Sequence, residues 1–231
     1  SDIKNFYKSY FKYKENILPF VTAKMAISKD FYTNSKNKKW ITNKYSRGRV
    51  HLMRSYHDCI LTSVNTIIID NPRLTCRISG LEENSPSRVI LDKELKIPIT
   101  SNIVISANKY RTIIFFNKIN QKKIKALKSL KIKLIKTSLN VDGNFDLKNI
   151  LLKVKLLGFS RIFLESGLNL TTSFLNKDLV NDFQLFISSK KLGMNGNNSF
   201  KNSMKLFLKN RKFTNEKVFL FDDKLISYKI K

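Results

Sequence analysis

Short runs of apolar, β-branched residues alternate with stretches of helical periodicity through most of this chain. That alternation restricts the fold more than any other feature. Residues 19–28 read PFVTAKMAIS, 59–62 CILT, 88–91 RVIL, 112–116 TIIFF, 132–135 IKLI and 161–164 RIFL. Runs that are apolar with little polar alternation suit strands buried on both faces. Between them, residues 42–56 read as a helix, with Thr42 placed to N-cap it and Val50, Met53 and His57 on one face. Residues 121–130 and 147–157 also carry helical spacing, and Gly158 follows the second as a C-cap glycine should. A further helix is expected from near Asn169 to Leu175. Repeated strand–helix–strand spacing of this kind predicts an α/β fold: a mixed, mostly parallel sheet flanked by helices.

After Asp182 the texture changes. Residues 183–188, 205–208, 218–221 and 225–230 read as strands joined by long loops, which predicts antiparallel additions at the C-terminal end of the sheet. Residues 1–17 are polar, aromatic and basic and read as a linker or arm. With no internal repeat and no clear interdomain linker, residues 18–231 are expected to form one domain.

Charge is where the composition departs from an ordinary globular protein. Lys and Arg number 44 against 17 Asp and Glu, a net +27. A nucleic-acid surface would concentrate such charge with interleaved aromatics in one stretch. Here Lys is spread over helices, loops and termini, so the excess reads as solvated faces; specific nucleic-acid binding is not expected, though non-specific polyanion binding at low salt is. Cys59 and Cys76 form no Cys-x-x-Cys or Cys/His cluster, which signals neither a disulfide scaffold nor a zinc site. His51 and His57 are six apart and do not share a helical face, so no metal site is expected. No apolar run reaches the length that crosses a bilayer, about 18 residues. A cytoplasmic protein is the expectation.

Several residues are candidates for chemistry. The run 161–164 feeds the turn Glu165–Ser166–Gly167, and a helix opens just after it. Such a turn points backbone N–H groups and a positive helix end at an anion, although one glycine after a strand is also an ordinary connection. It is neither a Gly-x-Gly-x-x-Gly fingerprint nor a P-loop. Arg54 and Arg77 read either as surface cations or as guanidinium groups for a substrate phosphate. Asp70, before Asn71–Pro72, is a turn former or, with Thr66 four residues earlier on a helix, part of a pair for a ribose or an amide. Lys24 interrupts an apolar strand; it either snorkels at a sheet edge or aims a donor into a pocket. Trp40 offers an aromatic face. No nucleophile elbow occurs, and the His-x-Glu and Pro-Cys-x-x-Cys signature of zinc deaminases is absent.

Taken in order, the segments Pro19 to Asp30 (PFVTAKMAISKD), Lys39-Trp40-Ile41-Thr42, Arg54, Ile60-Leu61-Thr62-Ser63 through Arg77, Arg88 to Asp92 (RVILD) and Phe163-Leu-Glu165-Ser-Gly167 resemble the reductase half of the bifunctional riboflavin-biosynthesis deaminase/reductase. The resemblance covers about residues 17–190. It implies a fold like dihydrofolate reductase and NADPH-dependent reduction of the ribosyl group of 5-amino-6-(5-phosphoribosylamino)uracil to a ribityl chain, without a metal. By resemblance, Ala26, Trp40, Thr66, Asp70 and the turn Gly167, Leu168, Asn169, Leu170, Thr171, Thr172 and Ser173 fall at cofactor positions. Lys24, Arg54, Leu74, Arg77 and Glu165 fall at substrate positions. Lys24, Asp70 and Glu165 are the catalytic candidates. Lys24 is placed to meet a pyrimidine carbonyl, which favours the deaminated ring over the undeaminated one. The resemblance also implies a homodimer and a deaminase domain in cis or trans.

Departures from the family pattern concern loops. Asp30-Phe31 stands where Asp-Gly is usual, the loop before Trp40 is short, and Lys38 occupies a position where a substrate-contacting Ser is common. Asn71 replaces an Asp, and Lys93 stands where a small hydroxyl residue is usual and would be able to meet a cofactor 2′-phosphate. Three alternatives stay open: a reductase of the undeaminated 2,5-diamino-6-ribosylaminopyrimidinone phosphate, a basic nucleic-acid-binding module, and a non-catalytic descendant of the fold.

Overall fold

The computed structural model describes residues 18–37 and 39–231. The expected arm at 1–17 and the substitution at Lys38 lie outside the described residues. In chain order the elements are β1 (Phe20–Ile27), β2 (Tyr32–Ser35), α1 (Lys44–Ser55), β3 (Cys59–Ser63), α2 (Val64–Asp70), β4 (Ser87–Leu91), α3 (Asn102–Ile105) and β5 (Thr112–Phe116). They continue with α4 (Gln121–Ser129), β6 (Lys133–Lys136), α5 (Leu147–Leu156), β7 (Arg161–Glu165), α6 (Leu168–Asn176), β8 (Asp182–Ile187), β9 (Gly196–Ser199), α7 (Lys201–Leu208), β10 (Phe213–Asn215) and β11 (Lys224–Lys229). The described residues divide into two compact units, one of residues 18–20 and 54–163, the other of residues 21–53 and 164–231.

In the first unit β3, β4, β5 and β6 lie side by side and parallel, with Cys59 opposite Ser87, Arg88 opposite Thr112 and Ile113 opposite Lys133. Ile60, Leu61, Val89, Ile90, Ile113, Ile114 and Phe115 are all fully buried. Burial on both faces is why these strands read as continuous apolar runs. Helices fill the crossovers: Asp146 caps α5 by accepting from the N–H of Lys148, and Gly158 closes its end at φ +93°, a conformation that suits glycine. Asp58 sets the start of β7, its Oδ2 accepting from the N–H groups of Ser160 (2.7 Å) and Arg161 (2.8 Å).

The second unit is mixed. β1 and β8 are parallel, β8 and β11 antiparallel, and β10 pairs antiparallel with β11. The expected antiparallel additions at the C-terminal end are therefore present. On β1 the residues Val21, Ala23, Met25 and Ile27 are buried, while Lys24 and Ala26, on the opposite face, are half-buried. A side-chain period of two produces this division. A separate ribbon pairs β2 with β9, Tyr32 opposite Ser199. Asp30 holds it to the chain: its carboxylate accepts from Ser28 Oγ and from the N–H groups of Leu192 and Gly193. Burial alone would push this acid up, but those donors hold its pKa near 2.

Three local expectations need correction. The cap of α1 is Asn43, not Thr42: Asn43 Oδ1 accepts from the N–H groups of Tyr45 and Ser46, whereas the Thr42 carbonyl accepts from Arg47. Residues 205–208 end α7 rather than forming a strand; over four residues, apolar spacing does not separate the two. Residues 218–221 are not a strand either. Leu220 is buried there, while Phe219 and Phe221 lie 5.3 and 6.2 Å from the ring of Tyr45. The strand in that region is β10, which precedes them.

Candidate active site

Lys24 sits in the interior of its sheet, with β8 on one side of β1 and β7 on the other. That removes the edge-snorkelling reading. Its Nζ is 3.8 Å from Glu165 Oε1, and the two side chains are 17% and 16% exposed. Glu165 is the last residue of β7, so a strand end places a carboxylate beside an ammonium on a half-buried face. A carboxylate so placed limits where the ammonium can sit. Ala26 shares this face of β1.

The turn after β7 has the form expected from sequence. Gly167 is the N-cap of the nine-residue α6, in extended backbone, and nothing lies within 4 Å of where a Cβ would stand. A side chain at Gly167 would therefore meet open space, and first-turn N–H groups have no intrahelical partner. The hydroxyls of this turn are used internally. Thr171 is fully buried and donates to the Ser166 carbonyl, Thr172 to the Leu168 carbonyl (2.9 Å) and Ser173 to the Asn169 carbonyl (2.8 Å). Those hydroxyls therefore already have acceptors within the segment. Half-exposed Trp40 lies in the same unit, flanked by two cations: Lys39 Nζ is 5.3 Å and the Arg47 guanidinium 5.0 Å from its ring centroid.

The first unit holds a different group. Thr66 and Asp70 lie one turn apart on α2, Thr66 half-buried and 3.3 Å from Ser63 Oγ, Asp70 exposed at the helix end. Asn71 closes that helix in a left-handed conformation, φ 39° and ψ 55°. It then holds the next segment: Asn71 Oδ1 accepts from the Asn102 N–H at 2.8 Å, and the Asn71 carbonyl from Asn102 Nδ2 at 2.7 Å. The amide that replaces an Asp here thus serves as acceptor to the start of α3.

Arg54 and Arg77 differ. Arg54 is 8% exposed and donates from Nη1 to the Thr75 carbonyl at 2.9 Å; Arg77 is exposed. Leu74, between them in the chain, is buried and takes a positive φ of 53°, unusual for a leucine. The segment is also tied by Ser85, whose Oγ accepts from the Cys76 N–H at 3.0 Å. Lys93 is exposed, and its Nζ donates to the Gly143 carbonyl at 3.0 Å.

One buried residue of this unit was read only as part of a strand. Arg88 is fully buried, and its guanidinium donates to Thr112 Oγ1, Ser106 Oγ and the carbonyls of Ile103, Tyr110 and Arg73. Burial among neutral acceptors pushes its pKa down to about 10, still charged at neutral pH. The charged residue opening an otherwise apolar run was the available signal. Asp92, at the other end of β4, accepts from the N–H groups of Lys96 and Ile97, while burial shifts its pKa upward.

Among the described residues no group of three or more metal-ligating side chains occurs, and no helix is long and apolar enough to cross a membrane.

Comparison with known proteins places the chain in a family. The family model for the RibD C-terminal domain matches residues 19–224. The riboflavin biosynthesis protein RibD of Aquifex aeolicus is 34% identical over 190 residues, covering 80% of this chain and 51% of that protein. This chain therefore spans about half the length of that relative. Among solved structures, Acinetobacter baumannii RibD superposes with a TM-score of 0.80 at 21% identity, over 99% of this chain and 62% of that one. The Thermotoga maritima diaminohydroxyphosphoribosylaminopyrimidine deaminase/5-amino-6-(5-phosphoribosylamino)uracil reductase gives 0.78 at 22% identity, over the whole of this chain and 62% of that one. At these identities the two structures speak for the fold. The family match spans nearly the whole chain, and the protein belongs to the RibD C-terminal domain family.

Proposed function

We propose that this chain is an NADPH-dependent oxidoreductase of riboflavin biosynthesis that reduces the ribosyl group of 5-amino-6-(5-phosphoribosylamino)uracil to the ribityl product, with residues 18–231 as its reductase domain. Family membership over residues 19–224 supports the reaction class. The observation that carries the site is the half-buried Lys24–Glu165 pair on an interior strand.

When bound, NADPH supplies the hydride. The residues fit such a cofactor: an open, glycine-capped helix start for a phosphate, and an exposed Trp40 between cations. Thr66 and Asp70 supply a hydroxyl and a carboxylate for a ribose or carboxamide. Lys93 is available to a 2′-phosphate once it leaves the Gly143 carbonyl. On the substrate, Lys24 donates to a pyrimidine carbonyl, and Glu165 holds Lys24 in place while orienting a sugar hydroxyl. Exposed Arg77 takes the phosphate. Arg54, which donates from Nη1 to the Thr75 carbonyl, is assigned with Arg77 to the phosphate or its surroundings. No residue needs to form a covalent bond; alignment of donor and acceptor and exclusion of water supply the rate.

Lys24 favours the uracil over the undeaminated ring, because an ammonium gains a hydrogen bond from a carbonyl oxygen and none from an amino group. Following reduced-nicotinamide absorbance with each pyrimidine, and with NADPH against NADH, tests the assignment. Turnover with the uracil and NADPH is expected. Preferential turnover of the undeaminated pyrimidine would transfer the activity to the alternative substrate. The family's bifunctional relatives make a deaminase domain, in cis or as a separate chain, the natural source of the uracil, and a homodimer is the proposed assembly.

A further inference from the structure

The face of the second unit that carries Lys24 continues across two more strands. Lys24 on β1 is opposite Gln184 on β8, and Gln184 is opposite Ser227 on β11. Residues in register on adjacent strands point to the same face, so Lys24, Gln184 and Ser227 form one row, which Glu165 joins through Lys24. All four are half-buried. The other face of β8 is apolar and closed: Phe183 and Leu185 are fully buried.

Ser227 Oγ donates to Gln184 Oε1 at 2.7 Å. That bond fixes which end of the planar amide is which. The carbonyl is turned toward β11, and the Nε2 donors are turned away from it. With the Ser227 hydroxyl on Oε1, the Nε2 donors are the part of the amide turned away from β11. A pyrimidinedione offers two carbonyl oxygens on either side of a ring N–H, so a single ammonium satisfies one of them at most.

Resting on the reductase reading, we infer that Gln184 is a second ring-recognition residue: its Nε2 donates to a pyrimidine carbonyl beside the one taken by Lys24, and Ser227 is the positioning residue that sets the orientation of the amide. Two donors in a row discriminate a ring with two carbonyls from one in which an amino group replaces an oxygen, since the amino group leaves one donor facing another.

The test uses the intact chain and three variants. Gln184→Leu keeps the size of the side chain and suits a strand. With it, KM for the uracil substrate is expected to rise about tenfold, the effect of one lost hydrogen bond, while KM for NADPH stays within about twofold. Ser227→Ala is expected to shift the substrate KM in the same direction by a smaller factor, and Gln184→Asn, which keeps the amide but shortens the reach, to recover little. The preference for the uracil over the undeaminated ring should fall in Gln184→Leu. Unchanged substrate KM and unchanged preference in Gln184→Leu overturn this inference and leave the reductase reading standing, as does an equal rise in both Michaelis constants with unaltered preference. If the wild-type chain neither turns over nor binds either pyrimidine, the reductase reading itself falls, and this inference with it.

Discussion

Lys24 Nζ lies 3.8 Å from Glu165 Oε1, across two neighbouring strands that are more than a hundred residues apart in the chain. The pairing puts a half-buried ammonium beside a carboxylate on one face of the sheet. Lys24→Met should therefore lower kcat/KM for the pyrimidine by about tenfold or more, the worth of one charge-assisted hydrogen bond, with NADPH binding little altered. Steady-state kinetics with each substrate varied in turn checks this. A loss confined to NADPH would contradict the assignment of Lys24.

Arg77 is exposed, so its replacement should leave the fold intact. Arg77→Ala is expected to raise the substrate KM without changing the dissociation constant for NADPH, measured by nicotinamide fluorescence. An equal loss in both would remove Arg77 from the substrate phosphate.

Arg88 behaves differently because it is buried. Replacing it with Met removes the donor to Thr112 Oγ1, Ser106 Oγ and the carbonyls of Ile103 and Arg73, while the Tyr110 carbonyl keeps the Thr112 hydroxyl. The expected loss is about 3 kcal/mol or more, seen as a lower midpoint in denaturant unfolding. Arg88→Lys supplies fewer donors and should recover only part of it. A wild-type midpoint for Arg88→Met would mean that these bonds contribute nothing net.

The ribbon of β2 and β9 carries a pH signature. Asp30 has a folded pKa near 2, below its ordinary 3.8. Its contribution to stability is complete above the ordinary value and is lost as pH falls from about 4 toward 2. The segment around Leu192 and Gly193 should exchange its amide hydrogens faster below pH 4, relative to the strands of the first unit. Asp30→Asn should show the faster exchange already at neutral pH. Identical pH dependence in wild type and variant would sink the assignment.

How far the sequence disclosed this structure depends on range. Continuous apolar runs disclosed β3, β4 and β5 because burial on both faces leaves a strong local pattern. The turn at Gly167 and the cap at Gly158 were legible for the same reason: glycine at an element end has few other uses. Thr66 and Asp70 proved to share a helix once Val64–Asp70 was seen to be one. Phe31, flagged as a departure from Asp-Gly, takes a positive φ of 71°, a conformation that suits glycine. The hidden features are those set by distant partners. Arg88 is defined by acceptors between 15 and 24 residues away, and Gln184 by a hydroxyl 43 residues on. Residues 205–208 and 218–221 were misread because apolar windows of four residues carry no reliable period; Phe219 and Phe221 meet Tyr45 instead of entering a sheet.

The most direct measurement is the oxidation of NADPH by the purified chain in the presence of 5-amino-6-(5-phosphoribosylamino)uracil, compared side by side with Lys24→Met. The expected result is substrate-dependent oxidation by the wild-type chain that falls about tenfold or more in the variant. Wild-type oxidation that does not depend on the pyrimidine, or an undiminished rate in Lys24→Met, would contradict the role assigned to the Lys24–Glu165 pair.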